Sequence, residues 1–308
     1  MRVIITGGSG LVGRALTESL AKDGHEVIIL TRNPQKVKDL PAGARAVAWD
    51  GRTAGGWGEL AEGTDAIVNL AGASIKGEGF LPSRWTRKRK ELIRQSRLNV
   101  GKAVVEAVRA AKKKPKVLLQ ASAVGYYGPQ GDEPLGEDEP AGKDFLATVC
   151  VDWEASTAEV EKMGVRRVVL RTGLPLTLKG GAFPLLVLPF RLFAGNWFGS
   201  GRQYYPWIHF EDYIAALRFL LENPKAQGAY NLSAPNPFTN REFALTLGKV
   251  MRRPVLLPVP RFALQVALGE VATVVVDGQR MLPTKLQKEG FKFSYPELEP
   301  ALRDLLAK

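Results

Sequence analysis

Glycines near the start of the chain have the spacing of a dinucleotide-binding turn. The apolar run Arg2–Thr6 leads directly into Gly7-Gly8-Ser9-Gly10-Leu11-Val12-Gly13, and a segment with a helical pattern follows. In such a unit the first glycine permits the tight turn, the second lets backbone approach a phosphate, and the third lets helix and strand pack closely. The helix N-terminus offers free N–H groups and a partial positive charge to an anion. A structural glycine turn in another α/β fold is the alternative. The residues predicted to hold the dinucleotide are Gly7, Ser9, Gly10, Leu11, Val12 and Gly13.

The end of the second predicted strand indicates which dinucleotide is bound. NAD-selective folds usually place Asp or Glu here, where it accepts hydrogen bonds from the ribose hydroxyls. This chain has Thr31-Arg32-Asn33 and no acid. Arg32 lies where the 2′-phosphate of NADP would sit, and a guanidinium can bind a phosphate through two parallel hydrogen bonds. We therefore predict NADP (NADPH) in preference to NAD, with a solvent-facing arginine as the alternative.

The elements that must position these residues alternate between strand and helix. Predicted strands cover residues 2–6, 25–30, 44–49, 65–70, 116–121 and 165–171, and predicted helices cover 14–22, 84–113 and 145–163. This alternation is typical of an α/β fold with a Rossmann-type, doubly wound parallel sheet. Later elements are predicted helices at 211–222, 239–251, 260–276 and 296–307 and predicted strands at 205–209 and 229–232.

The chain is expected to form two lobes. Residues 1–172 are predicted to be the NADP-binding Rossmann domain, and residues 173–308 a smaller mixed substrate-binding lobe, because loops lengthen and prolines become frequent after Arg171. The assignment leaves open that later segments return to the first domain. The crevice between the lobes is the default ligand site.

Composition excludes several classes of protein. The only cysteine is Cys150, so we expect no disulfide framework, no metal site and a reducing, cytoplasmic environment without a signal peptide. The most apolar tract, residues 183–193, is too short to span a bilayer, so no membrane partner is expected. The net charge of +12 favours an anionic ligand, and nucleic-acid binding is not expected because no recognition motif accompanies that charge.

Further motifs resemble a known superfamily. They are Asn69-Leu70-Ala71-Gly72 after the fourth strand, the segment 121–128 (ASAVGYYG) after the fifth, and the segment 206–212 (PWIHFED). With the glycine turn, they resemble the extended branch of the short-chain dehydrogenases/reductases, the NAD(P)-dependent sugar epimerases and dehydratases. Within that branch the chain is most similar to the atypical "epimerase family" proteins, sometimes labelled cell-division-inhibitor-like. The distinctive segments are 83–86 (SRWT), 125–128 (GYYG), 152–155 (DWEA), 188–191 (LPFR), 279–283 (QRMLP) and 290–298 (GFKFSYPEL).

The resemblance implies further ligand-binding residues. Leu70, Ala71 and Gly72 would lie close to the cofactor, and Pro175 would line its nicotinamide end. Arg97 would reach the cofactor phosphates, and Asp50 would accept a hydrogen bond from the adenine amino group. A helix-surface role for Arg97 and a turn role for Asp50 are equally open. The substrate would meet Arg202 and Gln203. A homodimer is also expected, since short-chain relatives often pair through two long helices.

The superfamily's catalytic residues are not all present. Its chemistry uses a tyrosine acid/base, a lysine one helical turn later that lowers the tyrosine pKa, and a serine or threonine that binds the reacting oxygen. Aligned on the third predicted helix, Cys150 takes the tyrosine place and Glu154 the lysine place. Counting forward from the fifth strand places the superfamily's serine at Ser122, which is therefore a candidate hydrogen-bond donor. Counting back from Tyr127 and Gly128 places it at Ala123 instead. Tyr126 is a candidate acid, with packing as its alternative.

Two functions follow from this combination. The leading hypothesis is an NADP-binding oxidoreductase or epimerase that exchanges hydride with a carbon bearing oxygen, which Ser122 and Tyr126 would polarise. The alternative is a non-catalytic NADP(H)-binding sensor or scaffold, and the missing Tyr/Lys pair favours it. The substrate and the roles of Cys150 and Glu154 are left open.

Overall fold

The protein is built around one parallel sheet. The structure, a computed structural model, describes residues 1–77, 79 and 82–307. Its strands are β1 (Arg2–Thr6), β2 (Glu26–Thr31), β3 (Ala44–Ala48), β4 (Ala66–Asn69), β5 (Val117–Ala123), β6 (Pro134–Leu135), β7 (Arg166–Thr172), β8 (Leu174–Leu176), β9 (Tyr204–Tyr205), β10 (Trp207–His209), β11 (Gly228–Leu232), β12 (Phe238–Thr239) and β13 (Arg280–Met281). Its α-helices are α1 (Leu11–Lys22), α2 (Arg87–Ala110), α3 (Phe145–Ala155), α4 (Phe183–Arg191), α5 (Phe210–Glu222), α6 (Asn240–Met251), α7 (Arg261–Leu268), α8 (Thr273–Val276), α9 (Thr284–Lys288) and α10 (Leu298–Leu306).

The central sheet has seven strands in the order β11-β7-β5-β4-β1-β2-β3, and all its pairings are parallel. The strand order reverses between β1 and β4, where Thr6 is paired with Asn69. In open α/β sheets, ligands bind outside the carboxyl ends of the strands at such a switch point. The predicted Rossmann-type fold is confirmed, and its switch point coincides with the glycine turn.

Both faces of this sheet are covered by helices. On one face Leu16 and Leu20 of α1 and several residues of α5 pack on alternate strand residues such as Val3 and Ile5. On the other face α2 packs on Ile4 and its neighbours. The strands therefore read as continuous apolar runs because they are buried on both sides.

Part of the second half of the chain returns to this sheet. β11 is the edge strand beside β7, and α5 packs into the same core as α1. A separate core in the second half of the chain includes Phe183, Trp207 and Phe243. Other late residues pack with the first half, such as Val271 with Trp85 and Met281 with Tyr127.

Several predicted elements are divided in the structure. The predicted strand 205–209 is two short strands, β9 and β10, separated by Pro206, which has no N–H to donate. The predicted helix 260–276 is α7, a 3₁₀ turn and α8, interrupted at Gly269 with φ of +63°. The helix α4 was not predicted, since its sequence contains Pro184 and Pro189.

The described residues include neither a membrane-spanning helix nor a metal-ligand cluster. None of their helices is long and apolar enough to cross a membrane. No group of three or more His, Cys, Asp or Glu side chains among them could hold a metal ion.

Candidate functional site

The turn between β1 and α1 has the geometry of a phosphate cradle. Gly7 has φ of +69°, which favours glycine, and its carbonyl accepts the Gly10 N–H at 3.0 Å. Gly10 is the N-cap of α1, and no side chain caps the helix. The first-turn N–H groups of α1 therefore point to the switch point without a side-chain acceptor.

The spacing of the glycines is set by backbone packing. A Cβ atom on Gly13 would lie 2.5 Å from the Gly7 oxygen and 2.5 Å from the Gly8 Cα. A Cβ atom on Gly7 would lie 3.1 Å from the Ala71 nitrogen, in the loop after β4. The two loops thus approach each other as closely as glycine allows, and this keeps the cradle narrow.

Three buried polar side chains connect the strand ends beneath this cradle. Thr6 donates its hydroxyl proton to Asn69 Oδ1 at 2.6 Å and accepts the N–H groups of Leu70 and Ala71 at 3.1 and 3.2 Å. Asn69 Nδ2 donates to Gln120 Oε1 at 2.8 Å. This link could not be predicted from the sequence, because Asn69 lies 63 positions from Thr6 and 51 positions from Gln120.

Arg32 lies beside the glycine turn. Its side chain is exposed at the end of β2, and a Cβ on Gly51 would lie 4.0 Å from its Cδ. Ser9 Oγ, in the turn, lies 3.5 Å from Thr31 Oγ1. In the described part of the chain no carboxylate forms an ion pair with Arg32, so the guanidinium is available to an anion placed beside the turn.

Asp50 is engaged in its own loop. Its carboxylate accepts the N–H groups of Arg52 and Thr53 at 2.7 and 2.9 Å and the Thr53 hydroxyl at 2.8 Å. The backbone hydrogen bond from Thr53 is the main reason that the pKa of Asp50 is lowered. This is the turn arrangement considered above, and contact with adenine stays a prediction.

Arg97 of α2 is hydrogen-bonded to the loop after β4. Its Nη1 donates to the carbonyls of Ala73 and Ile93 at 3.1 and 2.8 Å, and its guanidinium lies 4.7 Å from the centroid of the Trp153 ring. A Cβ on Gly72 would lie 3.2 Å from the Arg97 Cζ. Burial lowers the pKa of Arg97 to about 10. The structure thus gives Arg97 a bracing role, and its contact with the cofactor stays a prediction.

Ser122 belongs to a buried charged network. Its hydroxyl donates to Glu154 Oε1 at 2.6 Å. Arg171, on β7, donates to both oxygens of that carboxylate, at 3.0 Å from Nε and 3.1 Å from Nη2. The side chains of Arg171 and Glu154 are only 6% and 14% exposed. The Ser122 proton is therefore committed to Glu154, which is neutralised by Arg171 rather than facing a lysine.

Burial alone would lower the pKa of Arg171, but the hydrogen bonds and charge of Glu154 outweigh it and raise that pKa above its ordinary value. The guanidinium also donates to the Tyr127 hydroxyl at 3.1 Å and the Glu137 carbonyl at 2.9 Å. Arg171 thus joins β7, α3 and the loop after β5. The sequence reading assigned it no role.

The two tyrosines after β5 have different surroundings. Tyr127 is fully buried, donates to Asn231 Oδ1 at 2.7 Å, and has a pKa raised by burial. Tyr126 is half-buried, and the Arg171 guanidinium lies 3.4 Å from its ring centroid. Tyr127 is therefore structural, whereas Tyr126 is packed against Arg171 and keeps part of its surface exposed.

The face of α3 beside the loop after β5 carries Leu146 and Cys150. A Cβ on Gly125 would lie 3.2 Å from Leu146 Cβ and 3.7 Å from Cys150 Sγ. Burial raises the pKa of the Cys150 thiol to about 12, so the thiol stays protonated near neutral pH. This face offers neither a tyrosine nor a lysine to a bound nicotinamide.

The second lobe contributes a polar cleft of about 350 Å³. Arg202 and Gln203 line it together with the loop that follows Tyr127. Arg202 Nη2 lies 3.6 Å from Asp132 Oδ2, and Arg261 Nη2 lies 2.8 Å from Asp277 Oδ1. The structure thus brings the two predicted substrate residues to a cleft, and it adds two aspartates that sequence spacing could not connect with them.

Pro175 lies in β8, where it is paired with Ile208 of β10. Immediately after Ile208, His209 stacks on Tyr295 with ring centroids 3.8 Å apart, and its Nδ1 accepts the Glu211 N–H at 3.2 Å. Asp212 accepts the N–H groups of residues 294 and 295 at 2.8 and 2.9 Å. His209 and Asp212 therefore attach the C-terminal segment to β10 and α5.

Fold and site together define a dinucleotide-binding protein of the extended short-chain dehydrogenase/reductase type. A family model described as "NAD dependent epimerase/dehydratase family" matches residues 3–233. The chain therefore belongs to that family, which confirms the predicted relationship. A second model, "Domain of unknown function (DUF1731)", matches residues 259–305, which include α7 to α10 except the last residue of α10.

Relatives that match along the whole chain are also named as epimerase family proteins. YfhF of Bacillus subtilis is 41% identical over 308 residues, which cover 100% of this chain and 98% of the relative. The chloroplastic SDR39U1 homolog of Arabidopsis thaliana is 38% identical, with 99% and 87% covered.

Solved structures show the same fold. The crystal structure of human epimerase family protein SDR39U1 (isoform 2) with NADPH has a TM-score of 0.85 and 33% identity, covering 100% of this chain and 99% of that one. UDP-glucose 4-epimerase of Thermus thermophilus in complex with NAD has a TM-score of 0.76 at 20% identity, covering 100% and 98%, and supports the fold alone.

Proposed function

We propose that this protein binds NADP(H) at the turn between β1 and α1 and uses it as an oxidoreductase or epimerase. The observation that carries the cofactor assignment is Arg32, an exposed guanidinium beside the glycine turn with no acid at the end of β2. The human relative crystallised with NADPH supports NADP, whereas the more distant Thermus enzyme was crystallised with NAD. Proteins of this fold have thus been crystallised with either cofactor, and the choice proposed here rests on this chain's own residues.

The described residues fit a dinucleotide. The close approach of Gly13 to Gly7 and Gly8 leaves no room for a side chain in the cradle, while the first turn of α1 has no side-chain cap. Gly7, Gly10 and the first turn of α1 would hold the pyrophosphate, and Arg32 would bind the 2′-phosphate. A reducing, cytoplasmic environment is consistent with the buried free thiol of Cys150.

Bound NADP(H) would exchange hydride with a substrate carbon that bears oxygen. In this chain the group best placed to donate a proton to that oxygen is the Tyr126 hydroxyl, because Arg171 fixes its ring and the side chain is only half-buried. Ser122 is not proposed as that donor, since its hydroxyl already donates to Glu154. Arg171 is thus a positioning residue, and Tyr126 is the proposed acid/base.

A non-catalytic NADP(H) sensor or scaffold is the second candidate. A specific observation favours it: α3 presents Leu146 and Cys150 to the loop after β5, and the thiol pKa is raised to about 12. Without a lysine near the ribose, no residue of α3 lowers the pKa of an acid/base tyrosine.

An oxidoreductase would transfer deuterium from labelled NADPH to a carbonyl compound, whereas a non-catalytic sensor would not. The test incubates the protein with NADPH deuterated at C4 and a panel of aldoses, ketoses and small ketones, and measures label in the products by mass spectrometry. We expect transfer to at least one of them. Tyr126→Phe should reduce its rate by about 100-fold or more, since positioned proton transfer typically contributes 10² to 10⁴.

Cys150→Ala is the matched control and should leave the rate within about twofold, because the protonated thiol does no chemistry. NADPH affinity, measured by fluorescence, should be unchanged in both variants. Absence of transfer to every compound, with NADPH bound normally, would favour the sensor. Equal rates for wild type and Tyr126→Phe would exclude Tyr126 as the acid.

A further inference from the structure

Large apolar side chains project from one surface of the second lobe. Each is between 62% and 74% exposed. The residues are Leu192, Phe193, Leu256, Leu257, Phe262 and Val266. The first two follow α4, the next two lie in the loop after α6, and the last two lie one turn apart on α7, which buries none of its residues. Single exposed apolar residues are ordinary, but a contiguous group marks an interaction surface.

Hydrogen bonds and packing join these segments into one surface, here called the apolar face. Asn196 Oδ1 accepts the N–H groups of Leu256 and Leu257 at 2.9 and 3.0 Å. Phe198, two residues after Asn196, forms a parallel β-bridge with Val259, two residues after Leu257. Val259 leads directly into α7. The loop after α4, the loop after α6 and α7 are therefore held side by side.

The backbone of Phe193 supports a specific role for the apolar face. Its φ is +60°, a conformation that bulky residues rarely adopt. The Arg253 guanidinium lies 4.0 Å from its ring centroid, but the ring remains largely exposed. A costly backbone conformation that leaves an aromatic ring mostly exposed contributes little burial to the fold, and such conformations concentrate at functional sites.

The charges around the apolar face have one sign. Arg191, Arg252 and Arg253 lie in the segments that form it, and residues 191–199 and 252–269 contain no Asp or Glu. Arg261 of these segments forms an ion pair with Asp277 at 2.8 Å. Within the described part of the chain, the other three arginines form none. Apolar tips among unpaired arginines complement a surface that has both hydrocarbon and negative charge.

We propose that the apolar face docks peripherally on a membrane that contains anionic lipids. The apolar side chains enter the interfacial layer, and Arg191, Arg252 and Arg253 bind headgroup phosphates. A second copy of the chain fits less well, because a symmetric contact would place the unpaired arginines of both copies together. The sequence-based expectation of no membrane partner rested on the length of a spanning segment, which peripheral docking does not need.

The test is co-sedimentation of the full chain with large vesicles of phosphatidylcholine alone and of phosphatidylcholine with phosphatidylglycerol at a 3:1 ratio. We expect binding to the anionic vesicles, at least tenfold weaker binding to the neutral ones, and partial loss at high salt. Leu256→Ser combined with Leu257→Ser should weaken anionic-vesicle binding at least tenfold. Leu92→Ser, an exposed leucine on α2, is the matched control and should bind like wild type.

A charge pair of variants tests the arginines separately. Arg191→Glu should weaken binding severalfold more than Lys102→Glu, which makes the same change in charge on exposed α2. All variants should keep the wild-type melting temperature within about 2 °C, because the changed side chains are exposed. Equal binding to both vesicle types, no binding to either, or equal effects of variants and controls would overturn the proposal. So would a dimer in light scattering that the double serine variant abolishes, without vesicle binding.

Discussion

Arg171→Ala is expected to lower the free energy of unfolding by about 3–5 kcal/mol, the usual cost of removing one partner from a buried ion pair. The substitution leaves the Glu154 carboxylate buried, and among the described residues its remaining side-chain donor is the Ser122 hydroxyl. It also removes the donor to the Tyr127 hydroxyl and the cation over the Tyr126 ring. Urea unfolding with an unchanged m-value measures the effect.

Two controls distinguish the cost of leaving a buried charge unpaired from the cost of removing an arginine. Arg109 and Glu159 are paired at 2.7 Å with both side chains about half exposed, so Arg109→Ala should change stability by less than about 1 kcal/mol. Arg171→Met combined with Glu154→Leu should cost less than Arg171→Ala, because no unpaired charge is left inside. A loss below about 1 kcal/mol for Arg171→Ala would show that the pair is not the buried junction described above.

Gly13→Ala is expected to weaken NADPH binding about 100-fold. The new Cβ would lie 2.5 Å from backbone atoms of Gly7 and Gly8, so α1 must move away from the turn. Loss of two hydrogen bonds to charged phosphate oxygens, at about 1.5 kcal/mol each, corresponds to about that factor. NADPH fluorescence titration measures the change.

The matched control is Gly131→Ala. Its Cβ would have no heavy atom within 4 Å, and its φ lies outside the region that favours glycine. It should bind NADPH within about twofold of wild type. Wild-type affinity in Gly13→Ala would contradict the assignment of this turn as the phosphate cradle.

The position of the glycine turn in the fold could be predicted because its determinants are local. Gly7, Gly10 and Gly13 lie within one strand–turn–helix unit, and Arg32 follows the next strand. The parallel sheet then places both strand ends at one edge without further information. The Rossmann-type fold could be predicted for the same reason, because the alternation of strands and helices is local along the chain.

The rest of the site depends on contacts between distant segments. Ser122 and Glu154 are separated by 32 positions, and Glu154 and Arg171 by 17, so their pairing was not visible in the spacing of any motif. The predicted lysine place on α3 is filled by the Glu154 carboxylate, and its partner Arg171 comes from β7. Likewise, sequence alone does not show which apolar side chains stay exposed, so the exposure of Leu256 and Leu257 could not be predicted.

The central claim is that Arg32 makes the glycine turn an NADP site. Its most direct test is the ratio of NADH to NADPH dissociation constants for wild type and Arg32→Asp, with Lys162→Asp as a charge-matched control on an exposed turn. We predict that wild type and the control bind NADPH at least about 30-fold more tightly than NADH. This ratio corresponds to about 2 kcal/mol, the contribution of a charge-assisted hydrogen bond to the 2′-phosphate. Arg32→Asp should lose this preference or reverse it. Equal affinities for the two cofactors in wild type, or an unchanged ratio in Arg32→Asp, would contradict the account.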